Sequence, residues 1–132
     1  MTYNLMISNG IFNGFAGLML IFIPAEVLVW TDGNVGTMAL LLTSLLGAAM
    51  FGLGMLNYLG RSAIYGGIYG KPILIGNLVF HVIASVNLLK FSWSEGGVVA
   101  LATAIAGGCY SIFAAGFIRL NFFPPDLTQH TG

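Results

Sequence analysis

Four long runs without a charged side chain, Leu5–Ile23, Val35–Leu59, Pro72–Leu89 and Gly97–Ile118, alternate with short segments that hold all eight Asp, Glu, Lys and Arg residues of the chain. A bilayer core takes about 20 apolar residues of helix to cross, and each run meets that length to within a few residues. The pattern predicts an all-α polytopic membrane protein: a bundle of four transmembrane helices over about 4–23, 35–59, 72–91 and 96–120, with a short polar C-terminal tail over 123–132. Four crossings with short connections use nearly all of the 132 residues, so a single transmembrane domain over 1–132 is expected.

Local signals mark the ends of the runs. Pro24 should stop the first helix near Ile23, because its ring removes a donor and disfavours helix at the residue before it, and Pro24–Trp30 reads as a short interfacial turn or helix with Glu26 at its polar edge. Thr31-Asp32-Gly33-Asn34 is a turn cluster, with Asn34 or Thr37 placed to cap the second span. Pro72 suits the first turn of the third span, where a missing N–H leaves no bond unmade. Ser92-Trp93-Ser94-Glu95 predicts a tight hairpin with Ser94 as the next cap, and Phe123-Pro124-Pro125 stops the last helix.

Composition adds that water is the wrong solvent: 58% of residues are hydrophobic and 6% charged, against about 25% charged in soluble proteins. The formal charge is zero, and no basic run tracks a phosphate backbone, so nucleic acid is not an expected partner. The start of the chain lacks the basic segment of a secretory signal, so the first span is expected to stay in the mature protein. If all four runs cross, Arg61, Lys71 and Arg119 share one side with both termini and Asp126, while Glu26, Asp32 and Glu95 share the other with Lys90. The positive-inside rule then puts both termini in the cytoplasm. Trp30, Arg61, Lys71, Trp93 and Arg119 fall at the expected lipid interfaces, and the bacterial inner membrane is the expected location.

Helices in lipid associate through close packing, which favours small residues. Gly10 and Gly14 form one such pair, Ser44, Ala48 and Gly52 a ridge on the second span, and Thr103, Gly107, Ser111 and Ala115 a ridge on the fourth. A unit this small leaves some of that surface uncovered, so the expected partners are the bilayer and either further copies of the chain or other membrane subunits. A faint internal repeat accompanies the ridges. Asn9, Phe12, Asn13, Gly17 and Leu20 echo Asn77, Phe80, His81, Ser85 and Leu88, and Thr43, Gly47 and Ala48 echo Thr103, Gly107 and Gly108.

Polar groups within hydrocarbon are costly and draw attention to function. Asn77, His81 and Ser85 make a polar stripe on the third span, and Asn9 and Asn13 one on the first, with Asn13 and His81 at equivalent depths if the repeat holds. His81 is either a proton- or ligand-binding imidazole oriented by an amide, or a neutral side chain that pins helix packing, or an axial ligand to a haem or metal. A metal centre lacks a second histidine or carboxylate within the spans, so no metal ligand set and no cofactor is assigned. Asn57, Arg61 and Lys71 are candidates to hold lipid phosphate near the inner face. The apolar, glycine-rich Ile64–Gly70 segment is suited to the headgroup layer or to docking under another protein. Cys109 reads as a small packed hydrophobe. Hydrolase, protease and nucleotide-binding motifs are missing, and no residue is assigned as catalytic.

The runs Gly17-Leu18-Met19-Leu20-Ile21-Phe22-Ile23-Pro24 and Leu46-Gly47-Ala48-Ala49-Met50-Phe51-Gly52-Leu53-Gly54, with Asn57 to Arg61 after them, resemble those of small uncharacterised bacterial four-helix integral membrane proteins. That resemblance implies fold and location alone. The arginine- and glutamate-bearing helices of trimeric glutathione- and eicosanoid-metabolising membrane enzymes are missing, as is the first-helix glutamate of small multidrug exporters. Three functions stay open: a non-catalytic self-associating or accessory subunit of a membrane complex, a small transporter or channel with an intramembrane Asn/His path, and a cofactor-binding or enzymatic subunit built on His81.

Overall fold

A computed structural model describes residues 2–31, 35–62 and 70–123. Within them the chain is all-helical, in the order α1 (Thr2–Phe22), α2 (Pro24–Thr31), α3 (Thr37–Gly60), α4 (Gly70–Ser94) and α5 (Gly97–Phe122). Four of these are long and apolar enough to cross a membrane: Tyr3–Phe22, Thr37–Gly60, Gly70–Ser94 and Gly97–Phe122, of 20, 24, 25 and 26 residues. At about 1.5 Å per residue the shortest spans about 30 Å, the thickness of a hydrocarbon core, and the others can tilt or project. The protein is a multi-pass integral membrane protein.

The ends are set by local chemistry. Proline at position 24 closes α1 at Phe22, and the chain restarts at once as α2, with the Val27 N–H donating to the Ile23 carbonyl at 3.2 Å. Glu26 lies in the first turn of α2, where a carboxylate faces the positive end of the helix dipole. Pro72 is the third residue of α4, in the turn whose N–H groups have no helical acceptor. Two expected caps are corrected. Gly36, not Thr37, is the N-cap of α3 and makes no side-chain bond; Asn34 lies outside the described residues. Ser94 ends α4, its hydroxyl donating to the Phe91 carbonyl at 2.8 Å, and Gly96 caps α5 instead. The turn is therefore shorter than Ser92–Glu95 and lies at Glu95–Gly97, where Gly97 takes φ 65°, a left-handed conformation that glycine adopts without a Cβ penalty. Asp32, Ile64–Tyr69, Pro124, Pro125 and the tail beyond them also lie outside the described residues.

The chain forms two compact units, Met1–Ala63 and Ile64–Gly132. In the first, α1 runs antiparallel to α3, since Gly10 meets Gly54 and Tyr58 while Gly17 meets Gly47 and Phe51. A Cβ added to Gly17 would come within 2.5 Å of the Phe51 nitrogen, and one added to Gly54 within 2.6 Å of the Gly14 nitrogen. The two backbones touch where only hydrogen fits. In the second unit α4 and α5 are antiparallel too, with His81 beside Tyr110 and Phe117, Ser85 beside Ser111 and Leu89 beside Gly107.

The buried residues of α3 are Gly47, Met50, Gly54 and Asn57, and those of α5 are Gly107, Tyr110, Ala114, Phe117 and Leu120. Steps of three and four stay near the helical period of about 3.6, so they keep one face turned to a neighbour. The Ser44, Ala48 and Gly52 ridge lies off that face: Ser44 is half-buried, Ala48 and Gly52 are exposed, and a Cβ at Gly52 would meet nothing within 4 Å. The other ridge splits likewise, with Gly107 buried, Thr103 and Ser111 half-buried and Ala115 exposed.

Candidate functional site

Among the described residues, each unit holds one inward polar cluster. In the first, Asn9, Asn13 and Asn57 are completely buried. The Asn13 amide donates at 3.1 Å both to the Asn9 backbone carbonyl, one turn back, and to Asn9 Oδ1. The Asn57 amide reaches across from α3 to donate to the same Asn9 Oδ1 at 2.5 Å. Asn9 is thus the hub: its side-chain oxygen takes one N–H from its own helix and one from the facing helix, which uses both lone pairs. The glycine contacts at 10, 17, 47 and 54 bring the backbones near enough for so short a side chain to bridge them.

In the second unit Asn77 and His81 are completely buried and Ser85 nearly so. The His81 Nδ1 lies 2.6 Å from the Asn77 carbonyl oxygen. A carbonyl only accepts, so Nδ1 carries a proton and donates it. The imidazole is packed among aromatic rings, with centroids 5.3 Å from Phe80, 5.4 Å from Tyr110, 5.6 Å from Phe113 and 5.3 Å from Phe117. The Asn77 amide donates to the Ile73 carbonyl at 2.8 Å. Across the helix pair, the Ser85 and Ser111 hydroxyl oxygens are 2.6 Å apart. Because the Ser111 hydroxyl donates to the Gly107 carbonyl at 2.9 Å, the proton between the serines comes from Ser85.

A common device runs through both clusters. Asn13, Asn77, Asn87, Thr103, Ser111 and Asn121 each return a hydrogen bond to the carbonyl four residues earlier. With no water in the hydrocarbon, the nearest turn of the same helix is the cheapest acceptor.

The residues that the sequence pattern did not place here are Asn57, Ser111 and the rings of Tyr110, Phe113 and Phe117. The internal repeat is the signal that leads to them. Adding 68 to the buried α1 residues Met6, Asn9, Asn13 and Gly17 gives Leu74, Asn77, His81 and Ser85, all buried in α4. Adding 60 to Gly47, Met50, Gly54 and Asn57 gives Gly107, Tyr110, Ala114 and Phe117, all buried in α5. The contacts repeat as well: Gly17 against Phe51 corresponds to Ser85 against Ser111, and Ile21 against Gly47 to Leu89 against Gly107. Asn13 and His81 therefore hold equivalent positions, each within its own helix pair.

The remaining candidates lie elsewhere. Asn57 belongs to the buried amide cluster, whereas Arg61 caps α3 beside Tyr3 and Tyr58. Trp30, Lys71, Trp93 and Arg119 are exposed near helix ends. Gly10 is buried in the contact; Gly14 meets Gly54 through its own backbone, although a Cβ on it would touch nothing. Cys109 is half-buried, and no three His, Cys, Asp or Glu among the described residues could share a metal. Compared with family models, curated proteins and solved structures, the chain matches none.

Proposed function

We propose that this chain is a non-catalytic membrane subunit that acts by association, packing against further copies of itself or other membrane subunits in the bacterial inner membrane, with both termini cytoplasmic. The observation that carries the reading is the split in its small residues. Gly10, Gly17, Gly47 and Gly54 are consumed inside one helix pair, whereas Ala48 and Gly52 on the outer side of α3 are exposed and a Cβ at Gly52 meets open space. Small outward residues let another helix approach closely in lipid. The inward polar groups, meanwhile, are hydrogen-bonded within their own helix pairs, a role in packing rather than chemistry.

The test is the mass of the particle in mild detergent, against a protomer of 14.0 kDa. Association is expected, and Gly52→Leu should weaken it while helix content stays unchanged. A monodisperse monomer with nothing co-purifying would refute the proposal.

The burial of Asn9, Asn13, Asn77, His81 and Ser85 favours a second reading, a small transporter or channel with an intramembrane polar path. In liposomes His81→Leu should then abolish pH-dependent flux; flux equal to wild type would eliminate that path.

A further inference from the structure

One cation of the chain is held quite differently from the rest. Lys71, Lys90 and Arg119 are exposed, but Arg61 is half-buried at the C-terminal end of α3, packed against the first turn of α1. Its guanidinium carbon lies 4.2 Å from the Tyr58 ring centroid and 5.9 Å from that of Tyr3. Nε faces the Tyr3 hydroxyl oxygen at 3.4 Å, and Nη1 donates to the Tyr58 backbone carbonyl, one of the carbonyls that the end of α3 leaves without a helical donor. The plane of the guanidinium is set by these contacts. A charge serving topology alone needs no such mounting and snorkels on a flexible stem.

Two hydrogen bonds, from Nε and Nη1, leave the guanidinium three further N–H donors, two of them on Nη2. None meets a carboxylate among the described residues; within its own unit the described acid, Glu26, stands on α2, beyond the opposite end of α1. The cation is thus fixed and has no counter-ion among the described residues, at the depth where an apolar helix ends and lipid headgroups begin. Paired N–H donors match two oxygens of a phosphate, and arginine on an aromatic platform is weakly hydrated and suited to that exchange. Tyr3 and Tyr58, exposed at 47% and 42%, add phenol groups of the kind that settle in the headgroup layer.

We infer that Arg61, mounted on Tyr58 and Tyr3, is a binding site for the phosphate of an anionic membrane lipid. Lipid is favoured over free phosphate because the site lies beside exposed apolar side chains, Leu56 and Leu59 on α3 among them, which acyl chains can cover.

Native mass spectrometry tests this on the full chain, released from micelles holding phosphatidylglycerol and phosphatidylcholine in equal amounts. The wild type should keep a phosphatidylglycerol adduct. Arg61→Gln should lose that preference by about tenfold or more, the range of a hydrogen bond to a charged group. Arg61→Lys and Tyr58→Leu should fall between, since one keeps charge without the fork and the other removes the platform. Lys71→Gln and Arg119→Gln, which change net charge equally, should keep the adduct. Far-UV circular dichroism on each variant separates loss of lipid from loss of fold. A preference unmoved in folded Arg61→Gln, or lost equally in all three glutamine variants, would overturn the site. Displacement of the lipid by excess inorganic phosphate would overturn the choice of ligand.

Discussion

Gly54→Ala adds one methyl group to the point where α1 and α3 touch. Its Cβ would lie 2.6 Å from the Gly14 nitrogen, 2.8 Å from the Gly10 oxygen and 2.9 Å from the Gly14 Cα, all backbone atoms that no rotamer change can move. Restoring an ordinary contact of 3.4 Å needs the helices to part by about 0.8 Å there. A gap of that size forfeits roughly a quarter to a half of each neighbouring dispersion contact. It also stretches the Asn57–Asn9 bond, three residues further along α3, from 2.5 Å towards about 3.3 Å, the weak end of hydrogen-bond geometry. Overpacking of this kind costs about 1–3 kcal/mol, and the hydrogen bond adds about 0.6 kcal/mol, so a loss of about 2 kcal/mol or more is expected. Gly14→Ala is the matched control: the same methyl, on α1 of the same helix pair, with nothing within 4 Å. Any gain in helix propensity is common to both and cancels. Unfolding in mixed micelles of rising sodium dodecyl sulfate fraction, followed by far-UV circular dichroism and tryptophan fluorescence, measures the difference. With Trp93 replaced by Phe, Trp30 reports on the first unit alone. Equal midpoints for the two variants, or a lower one for Gly14→Ala, would refute the view that backbone contact at these glycines holds the pair together.

Three further outcomes follow from the polar clusters. Asn9→Leu should destabilise more than Asn57→Leu, by roughly 1 kcal/mol, because Asn9 Oδ1 accepts from two amides, one on each helix; the same micelle titration ranks them, and a reversed order would remove Asn9 as hub. Ser111→Ala should cost more than Ser85→Ala, since it strands the Ser85 proton, whereas losing Ser85 leaves the bond to Gly107 in place; single-site losses of about 0.6 kcal/mol set the scale. His81→Phe should be tolerated to within about 1.5 kcal/mol as a ring-for-ring exchange, while His81→Ala should cost about 3 kcal/mol through the cavity it opens among four aromatic rings. A His81→Phe protein as unstable as His81→Ala would show that the Nδ1 hydrogen bond outweighs the packing.

The spans were legible because hydrocarbon excludes charge, whereas a helix of about 20 residues at the surface of a soluble protein carries charges along its outer face. Their ends were less so. The pattern places the third helix over about 72–91, yet it runs from Gly70 to Ser94, because a lysine near the interface, such as Lys90, can snorkel without ending the helix. The depth of Asn9, Asn13, Asn77, His81 and Ser85 could be read from the same exclusion, since polar groups turn away from lipid. Their partners could not. Whether Asn57 meets Asn9 depends on how closely and in what register two backbones approach, and that is decided by the spacing of Gly47 and Gly54 against Gly10 and Gly17. Spacings of four are conspicuous in a glycine-rich sequence, and they drew attention to Ala48 and Gly52, which lie outside the contact.

The two units keep a register and change what fills it. Small residues recur where backbones approach, Gly47 with Gly107 and Gly54 with Ala114, and an asparagine recurs at Asn9 and Asn77. At the inner positions between, Asn13 has His81 as its counterpart and Asn57 has Phe117. In the first unit the space is closed by asparagine side chains, with Asn57 hydrogen-bonded across to Asn9; in the second it is closed by aromatic rings around an imidazole, with the interhelical bond moved to Ser85 and Ser111. Both are ways of joining helices in a solvent that offers no hydrophobic drive between them. What distinguishes the halves is therefore concentrated in two equivalent pairs, Asn13/His81 and Asn57/Phe117. A packing role for His81 predicts that the ring-for-ring exchange His81→Phe keeps association as well as fold. Loss of association from a folded His81→Phe protein would instead assign the imidazole a task beyond packing.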